Sequence, residues 1–216
     1  MQLILLGPPG VGKGTQAERL AESYRIAHIS TGEMFRDAVA KGLELGKQAN
    51  KYMAAGELVP DEIVIGMVEE RLSRPDTAAG FLLDGFPRTT AQAEALDALL
   101  KRIGRPITAV VDLRADPEVL VKRLSGRRVC TKCGATYHVD NMPPAKEGVC
   151  DQCGGAVQQR KDDQPEAVRT RLVEYQSKTA SLTDYYQKTG LLEAVDASGP
   201  VNEVLSVIQS LIGGRL

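Results

Sequence analysis

Nine residues near the start of the chain, Gly7-Pro-Pro-Gly-Val-Gly-Lys-Gly-Thr15, match the spacing G-x-x-x-x-G-K. Four glycines in the eight positions from 7 to 14 let successive backbone N–H groups turn inward around an anion. A following helix would add its positive N-terminus, and Lys13 would reach the outer phosphates of a nucleotide. Gly14 stands where Ser or Thr commonly holds magnesium, so metal capture would fall to Thr15 or to a distant carboxylate. A second group is Phe81-Leu-Leu-Asp-Gly-Phe-Pro-Arg88. An acid at the carboxyl end of a buried parallel strand lies where ligands collect, so Asp84 could hold magnesium through water and Arg88 a phosphate. Alone, Asp84-Gly85 is only a turn; paired with the glycine loop it points to nucleotide chemistry. The third group is Cys130-x-x-Cys133 and, 16 residues on, Cys150-x-x-Cys153, the spacing of a tetrahedral zinc site on two knuckles. Four thiolates leave no open position, so such a site is structural, whereas either pair alone could be a redox couple. His138 could substitute as a ligand, but a loop surface is its expected place, and His28, with no triad partners in the sequence, is expected at the core's edge.

These groups need a frame. Leu3 to Leu6, Phe81 to Leu83, Ile107 to Leu113 and Leu191 to Val195 are short apolar runs, separated by helix-period sequence, and predict buried parallel strands. Pro60-Asp61 opens a helix with Ile63, Val64, Met67, Val68 and Leu72 inward; Thr90 precedes one with Ala93, Leu96, Leu100 and Ile103 inward. Asp116-Pro117 supplies an N-cap and an N1 proline for a third, and Val201, Val204, Leu205, Ile208 and Ile212 form the stripe of a last helix stopped by Gly213-Gly214. The alternation predicts a doubly wound α/β core. Two stretches interrupt it: residues 30–59, helix-like with glycine joints, and residues 126–163, rich in turn residues and carrying all four cysteines.

Composition narrows the function classes. The chain has 216 residues and a formal charge of −1, from 27 Lys+Arg and 28 Asp+Glu, so no global positive field draws nucleic acid or anionic membrane. The four-cysteine segment holds six basic and five acidic residues; four thiolates around one divalent metal bring it to −1, unlike a reader of nucleic-acid backbone. Its basic residues cluster at the two ends instead: Arg127 and Arg128 on one side, Arg160 and Lys161 on the other. No apolar run approaches the roughly 20 residues of a membrane span, and the start lacks a signal-peptide pattern, so a cytoplasmic chain is expected.

Together the glycine loop, Ile29-Ser-Thr-Gly-Glu-Met34, Asp84-Gly-Phe-Pro-Arg-Thr89, Gly126-Arg-Arg-Val129 and Arg160-Lys-Asp-Asp163 resemble the adenylate kinase family in its long-lid form, over essentially the whole chain. The resemblance implies a P-loop core with a parallel five-stranded sheet flanked by helices (1–29, 60–125 and 164–216), a helical NMP-binding insert (30–59) and a zinc-binding lid (126–163). The four cysteines resemble the metal set of the family's zinc-bearing bacterial variant. By the same resemblance Gly10, Val11, Gly12, Lys13, Gly14 and Thr15 would bind ATP, Gly14 being usual there. Thr31, Arg36, Glu57, Leu58, Val59, Gly85, Phe86, Pro87, Arg88 and Gln92 would form the AMP site. Arg123, Arg127, Thr136 and Tyr137 would contact ATP and the moving phosphoryl group; Arg160 and Arg171 would reach AMP as well. Gly199 departs from members with a lysine near adenine, where a backbone carbonyl would serve.

The implied reaction is MgATP + AMP ⇌ 2 ADP in a monomer, with structural zinc in the lid. Phosphoryl transfer asks for alignment and charge neutralisation more than for a nucleophile, which Lys13, Asp84, Arg88, Arg123, Arg160 and Arg171 would supply. A kinase for another nucleoside monophosphate, or a P-loop and zinc-ribbon module for nucleic acid, are the rival readings.

Overall fold

The computed structural model describes residues 1–215. In chain order the core begins with β1 (Gln2–Leu6), α1 (Lys13–Tyr24) and β2 (Ala27–Ser30). Two helices follow, α2 (Thr31–Ala40) and α3 (Glu44–Ala55), and then α4 (Asp61–Leu72), β3 (Phe81–Asp84), α5 (Thr90–Arg102), β4 (Ala109–Arg114) and α6 (Pro117–Gly126). The cysteine segment forms β5 (Arg127–Cys130), β6 (Thr136–His138) and β7 (Val157–Gln158). The chain closes with α7 (Pro165–Glu174), α8 (Ser181–Lys188), β8 (Leu192–Asp196) and α9 (Val201–Gly213).

Five parallel strands make one sheet in the order β2-β3-β1-β4-β8, so β1 and its glycine loop lie at its centre. Successive residues of a strand face opposite sides. Ile4, Leu6, Phe81, Leu83 and Val110 therefore join Val68, Leu96 and Leu182 from α4, α5 and α8 on one face. Leu3, Leu5, Leu82, Val111 and Leu113 join Leu20, Leu120 and Ile208 from α1, α6 and α9 on the other. Each such side chain, fully buried, contributes roughly 1.5–3 kcal/mol, and two covered faces explain why these strands read as apolar runs instead of alternating ones.

The strand β2 has no such run. Ala27-His28-Ile29-Ser30 carries one large apolar residue and is held instead by pairing, from Ala27 beside Phe81 to Ser30 beside Asp84. Ile103, expected inward, lies beyond the end of α5 and is 40% exposed because the chain turns at Gly104, where φ is +67°. Val201, expected on the buried stripe of α9, is its first residue and also exposed. Pro117 opens α6, but the Asp116 side chain makes no cap hydrogen bond.

The cysteine segment is an antiparallel sheet, β6-β5-β7, whose buried cluster is only Cys130, Tyr137, Cys150 and Val157. Between α7 and α8 the helix widens into a π turn, Tyr175–Thr179, a feature that often marks functional sites. Thr179 Oγ1 donates to the Arg88 carbonyl at 2.8 Å and so ties that turn to the end of β3. No helix among the described residues is long and apolar enough to cross a membrane.

Candidate functional site

Close packing sets the loop between β1 and α1. A Cβ on Gly7 would fall 2.4 Å from the Leu113 carbonyl oxygen, and one on Gly10 would meet Leu124 Cγ at 2.8 Å. Gly12, with φ at +105°, is the N-cap of α1, and no acid in the first turn neutralises the helix's positive end. Lys13 Nζ donates to the carbonyls of Gly7 at 2.6 Å and Pro8 at 3.0 Å. Burial draws the Lys13 pKa down to about 8; the Asp84 charge opposes this, and Arg88, Arg171 and Arg127 reinforce it. The Val11 side chain belongs to the core, so this residue has only its backbone to offer a ligand.

Asp84 ends β3 in register with Leu5 and Ser30, so the sheet itself delivers it to the loop. A Cβ on Gly14 would lie 3.7 Å from its Oδ2. Burial works to raise the Asp84 pKa, but the contacts with His28 and Lys13 outweigh it and hold the carboxyl below its ordinary range. His28 Nε2 stands 3.7 Å from Asp84 Oδ2, an ion-pair distance beyond hydrogen-bond length. Burial alone would lower the His28 pKa; Asp84, then Glu33 and Glu18, raise it above the ordinary value. His28 is therefore a neighbour of the carboxylate and more than a core-edge residue, a relation set by strand pairing and not by its neighbours in sequence.

Beside the loop lie two clefts. Thr31 and Arg36 from α2, Glu57 to Val59 after α3, Gly85 and Arg88 after β3, and Gln92 from α5 line one of them. Thr31 Oγ1 and Arg88 Nε both donate to the Gly85 carbonyl, at 2.9 and 2.8 Å. Gln92 is oriented by protein: its Oε1 accepts from Arg88 N at 2.7 Å and its Nε2 donates to Asp61 Oδ1 at 2.7 Å, leaving one lone pair and one hydrogen. Phe86 points into the core and does not line the cleft. The second cleft is bounded by Gly7, Pro9 and Lys13 of the loop, by Pro87, and by Glu174 and Tyr175 at the π turn. Arg88 and Arg171 line both clefts, so both face the same pair of guanidinium groups.

Those arginines belong to a crowd. Burial, then Arg171, lowers the Arg88 pKa to about 10; burial, then Arg36 and Arg127, does the same to Arg160. Arg36 and Arg171 shift in the same direction, burial first, with Asp162 opposing. Asp163, fully buried, accepts from Arg127 Nε at 2.7 Å and from Arg171 Nη1 at 3.1 Å; Asp162 Oδ2 lies 3.1 Å from the same Arg171 nitrogen. In sequence Asp162 and Asp163 are only the end of the stretch Arg160-Lys-Asp-Asp163; the structure gives them the part of anchoring arginines. Arg123 stands apart, donating to the carbonyls of Val11 at 3.2 Å, Ala197 at 2.9 Å and Ser198 at 3.0 Å, beside exposed Gly199. Thr136 and Tyr137 lie in β6 and line neither cleft.

The four cysteine sulfurs lie within 4.8 Å of one another and could hold a metal ion. They sit on two matched turns: Gly134 N donates to Cys130 O and Gly154 N to Cys150 O, while Cys130 N and Cys150 N donate to Ala135 O and Gly155 O. The contact with the Tyr137 hydroxyl, 3.3 Å away, draws the Cys150 thiol down to about 6, against the effect of burial. His138 is no ligand here. Its Nδ1 accepts from Asp140 N at 3.1 Å, so Nε2 carries the proton and faces the Lys122 carbonyl at 3.3 Å, with the ring packed over Gly126.

A family model described as Adenylate kinase matches residues 5–191. The chain belongs to the adenylate kinase family. It is similar to proteins named Adenylate kinase from Carboxydothermus hydrogenoformans (55% identical over 212 residues, 98% of this chain and 99% of that one) and Archaeoglobus fulgidus (53% over 212 residues, 98% of each). A third relative of that name, from Bacillus licheniformis, is 52% identical over 215 residues, all of this chain and 99% of its own. Adenylate kinase membership makes this chain a nucleotide-binding phosphotransferase with the parallel five-stranded core described above.

Proposed function

We propose that the chain transfers the terminal phosphoryl group of MgATP reversibly to AMP, giving two ADP, as a cytoplasmic monomer. The observation that carries this reading is the meeting of two clefts at Arg88 and Arg171, one against the glycine loop and one against the insert 30–59. The loop amides from Gly10 to Thr15, with Lys13, take the ATP phosphates; Asp84 orients magnesium that enters with the nucleotide, directly or through water. Arg123, Arg127, the Thr136-Tyr137 backbone and the Gly199 backbone complete the ATP side. Thr31, Arg36, the stretch Glu57 to Val59, Gly85 to Arg88 and Gln92 take AMP, Phe86 through its backbone alone. Arg88 and Arg171 draw the two phosphate tails into line, and Arg160 joins them as the lid, 126–163, folds over the core. Five arginines and Lys13 gather round Asp84, Asp162 and Asp163, with Glu33 acting on Arg36, a concentration of positive charge that suits the charge spreading over the transferring group. In a coupled assay, ADP must form from ATP only when AMP is present; equal ATP turnover without AMP would contradict the proposal.

Lys13 gives the reading a thermodynamic signature. Its pKa of about 8 should rise when a triphosphate supplies opposing charge, so ATP binding should take up a proton. At pH 8 the uptake should be roughly half a proton, and near zero at pH 6, where the group is already charged. Calorimetric titration in two buffers of different ionisation enthalpy measures it; uptake that grows below pH 7 would assign it to another group.

The lid metal is, on this reading, zinc held by Cys130, Cys133, Cys150 and Cys153. The donor set fits: four sulfurs on two equivalent turns suit a tetrahedral thiolate site without an open position. When bound, zinc cross-links the two turns and takes no part in the transfer. A cluster of four buried residues cannot order this segment alone, so metal binding should contribute much of its folding free energy. Elemental analysis should find one zinc per chain, and chelation should lower the melting temperature. Loss of activity with unchanged melting would contradict a structural role.

A further inference from the structure

The lid contains one buried polar contact that the reaction does not use. Tyr137 is 6% exposed, and its hydroxyl lies 3.3 Å from Cys150 Sγ and 2.8 Å from the Asp151 backbone nitrogen. The Asp151 N–H can only donate, so it occupies a lone pair of the phenolic oxygen. With Cys150 as a metal-bound thiolate, which can only accept, the hydroxyl hydrogen takes that sulfur as its partner. Cys150 itself is 2% exposed, so water does not compete for that sulfur. The backbone at Tyr137 is fixed as well, because the residue pairs with Arg128 across β6 and β5.

We propose that Tyr137 is an outer-shell positioning residue of the metal centre, holding the Cys150 sulfur by a hydrogen bond. The inference rests on the four cysteines being a metal site. A thiolate that accepts a hydrogen bond gives less electron density to its metal but is fixed in place, and its lone pairs are shielded from protonation, the step that starts metal loss. The same bond joins the first turn to the second: Tyr137 leads out of the Cys130-Cys133 turn, while Cys150 opens the other. Once the metal is bound, this polar link keeps the two halves in register.

The test uses the full-length chain and Tyr137→Phe, which keeps the ring and removes only the hydroxyl. Both are loaded with one equivalent of zinc, and transfer to a chromogenic chelator is timed. Zinc uptake by the wild-type chain fixes the metal reading first, and the comparison with the variant then decides the role of Tyr137. Loss of an outer-shell partner typically weakens metal binding roughly 10- to 100-fold, and release should accelerate on that scale. With cobalt in place of zinc, the sulfur-to-metal charge-transfer band of the variant should move to longer wavelength, because a thiolate without its hydrogen bond gives up charge more easily. The metal-free proteins should melt together. Release within about twofold of wild type, or an unmoved cobalt band, would overturn the proposal. So would a metal-free variant that melts as far below its wild type as the loaded one does, since that marks lost packing and not a lost bond to sulfur.

Discussion

Replacing Lys13 with Met should lower the rate of phosphoryl transfer roughly 10²- to 10³-fold, the loss expected for one preorganised charge on a transferring group. The fold should survive. The ammonium sits among Arg88, Arg127 and Arg171 with Asp84 as the opposing charge, and burial already disfavours its charged form, as the pKa of about 8 records. Its folded-state pKa lies below the unfolded one, so the charged lysine costs stability below pH 8, a cost that fades as the pH rises toward 10.5. Removing it should therefore leave the melting temperature at pH 7 within roughly 3 °C of wild type, or raise it. A thermal scan beside initial rates separates the two effects. A collapsed melting transition would mean that the hydrogen bonds from Lys13 to Gly7 and Pro8 hold the loop together, contrary to this account.

Asp163→Ala should act in the opposite way, on stability and rate together. The carboxylate is fully buried and accepts from both Arg127 and Arg171, each about one-fifth exposed at the side chain. Deleting it strands the Arg127 guanidinium and leaves Arg171 with Asp162 alone, beside Arg36 and Arg160, and breaking such a buried pair costs about 3 kcal/mol or more. For a chain of this size that lowers the melting temperature by roughly 6–12 °C. Arg171 lines both clefts, so its loss of orientation should also reduce kcat roughly 100-fold, the scale of a small misplacement at the reacting atoms. Asp163→Asn, which keeps the volume and one acceptor, should fall between. Unchanged melting in Asp163→Ala would show that the two arginines need no shared anchor.

The groups that turned out to be legible in sequence were those whose chemistry depends on short spacing. The glycine loop declares itself because Gly7, Gly10 and Gly12 need backbone angles that other residues reach only with strain. The cysteine turns declare themselves because two sulfurs on one turn need two intervening residues. Four core strands were legible from apolar runs, since a sheet covered on both faces has no polar side to show. The rest depended on contacts far apart in the chain. The strand β2 exists through its partner β3, not through hydropathy; His28 gains meaning only when pairing sets it opposite Leu82, next to Asp84. Asp61, which aims Gln92, lies 31 residues from it, and Asp163 lies 36 residues from Arg127. No local pattern carries such pairings. Arg123 illustrates the converse: the family resemblance groups it with the other arginines, while its three carbonyl contacts hold it against the loop and residues 197–198.

The central claim is that two nucleotides are held end to end, with their phosphate tails meeting at Arg88 and Arg171. It is tested most directly by calorimetric titration with a ligand that joins two adenosines through one polyphosphate chain. The account predicts a single site per chain and an affinity at least roughly 10³-fold above that of ATP or AMP alone, because the second contact becomes intramolecular. Arg88→Ala should abolish most of that gain. Binding no tighter than ATP alone, or two ligands bound per chain, would contradict it.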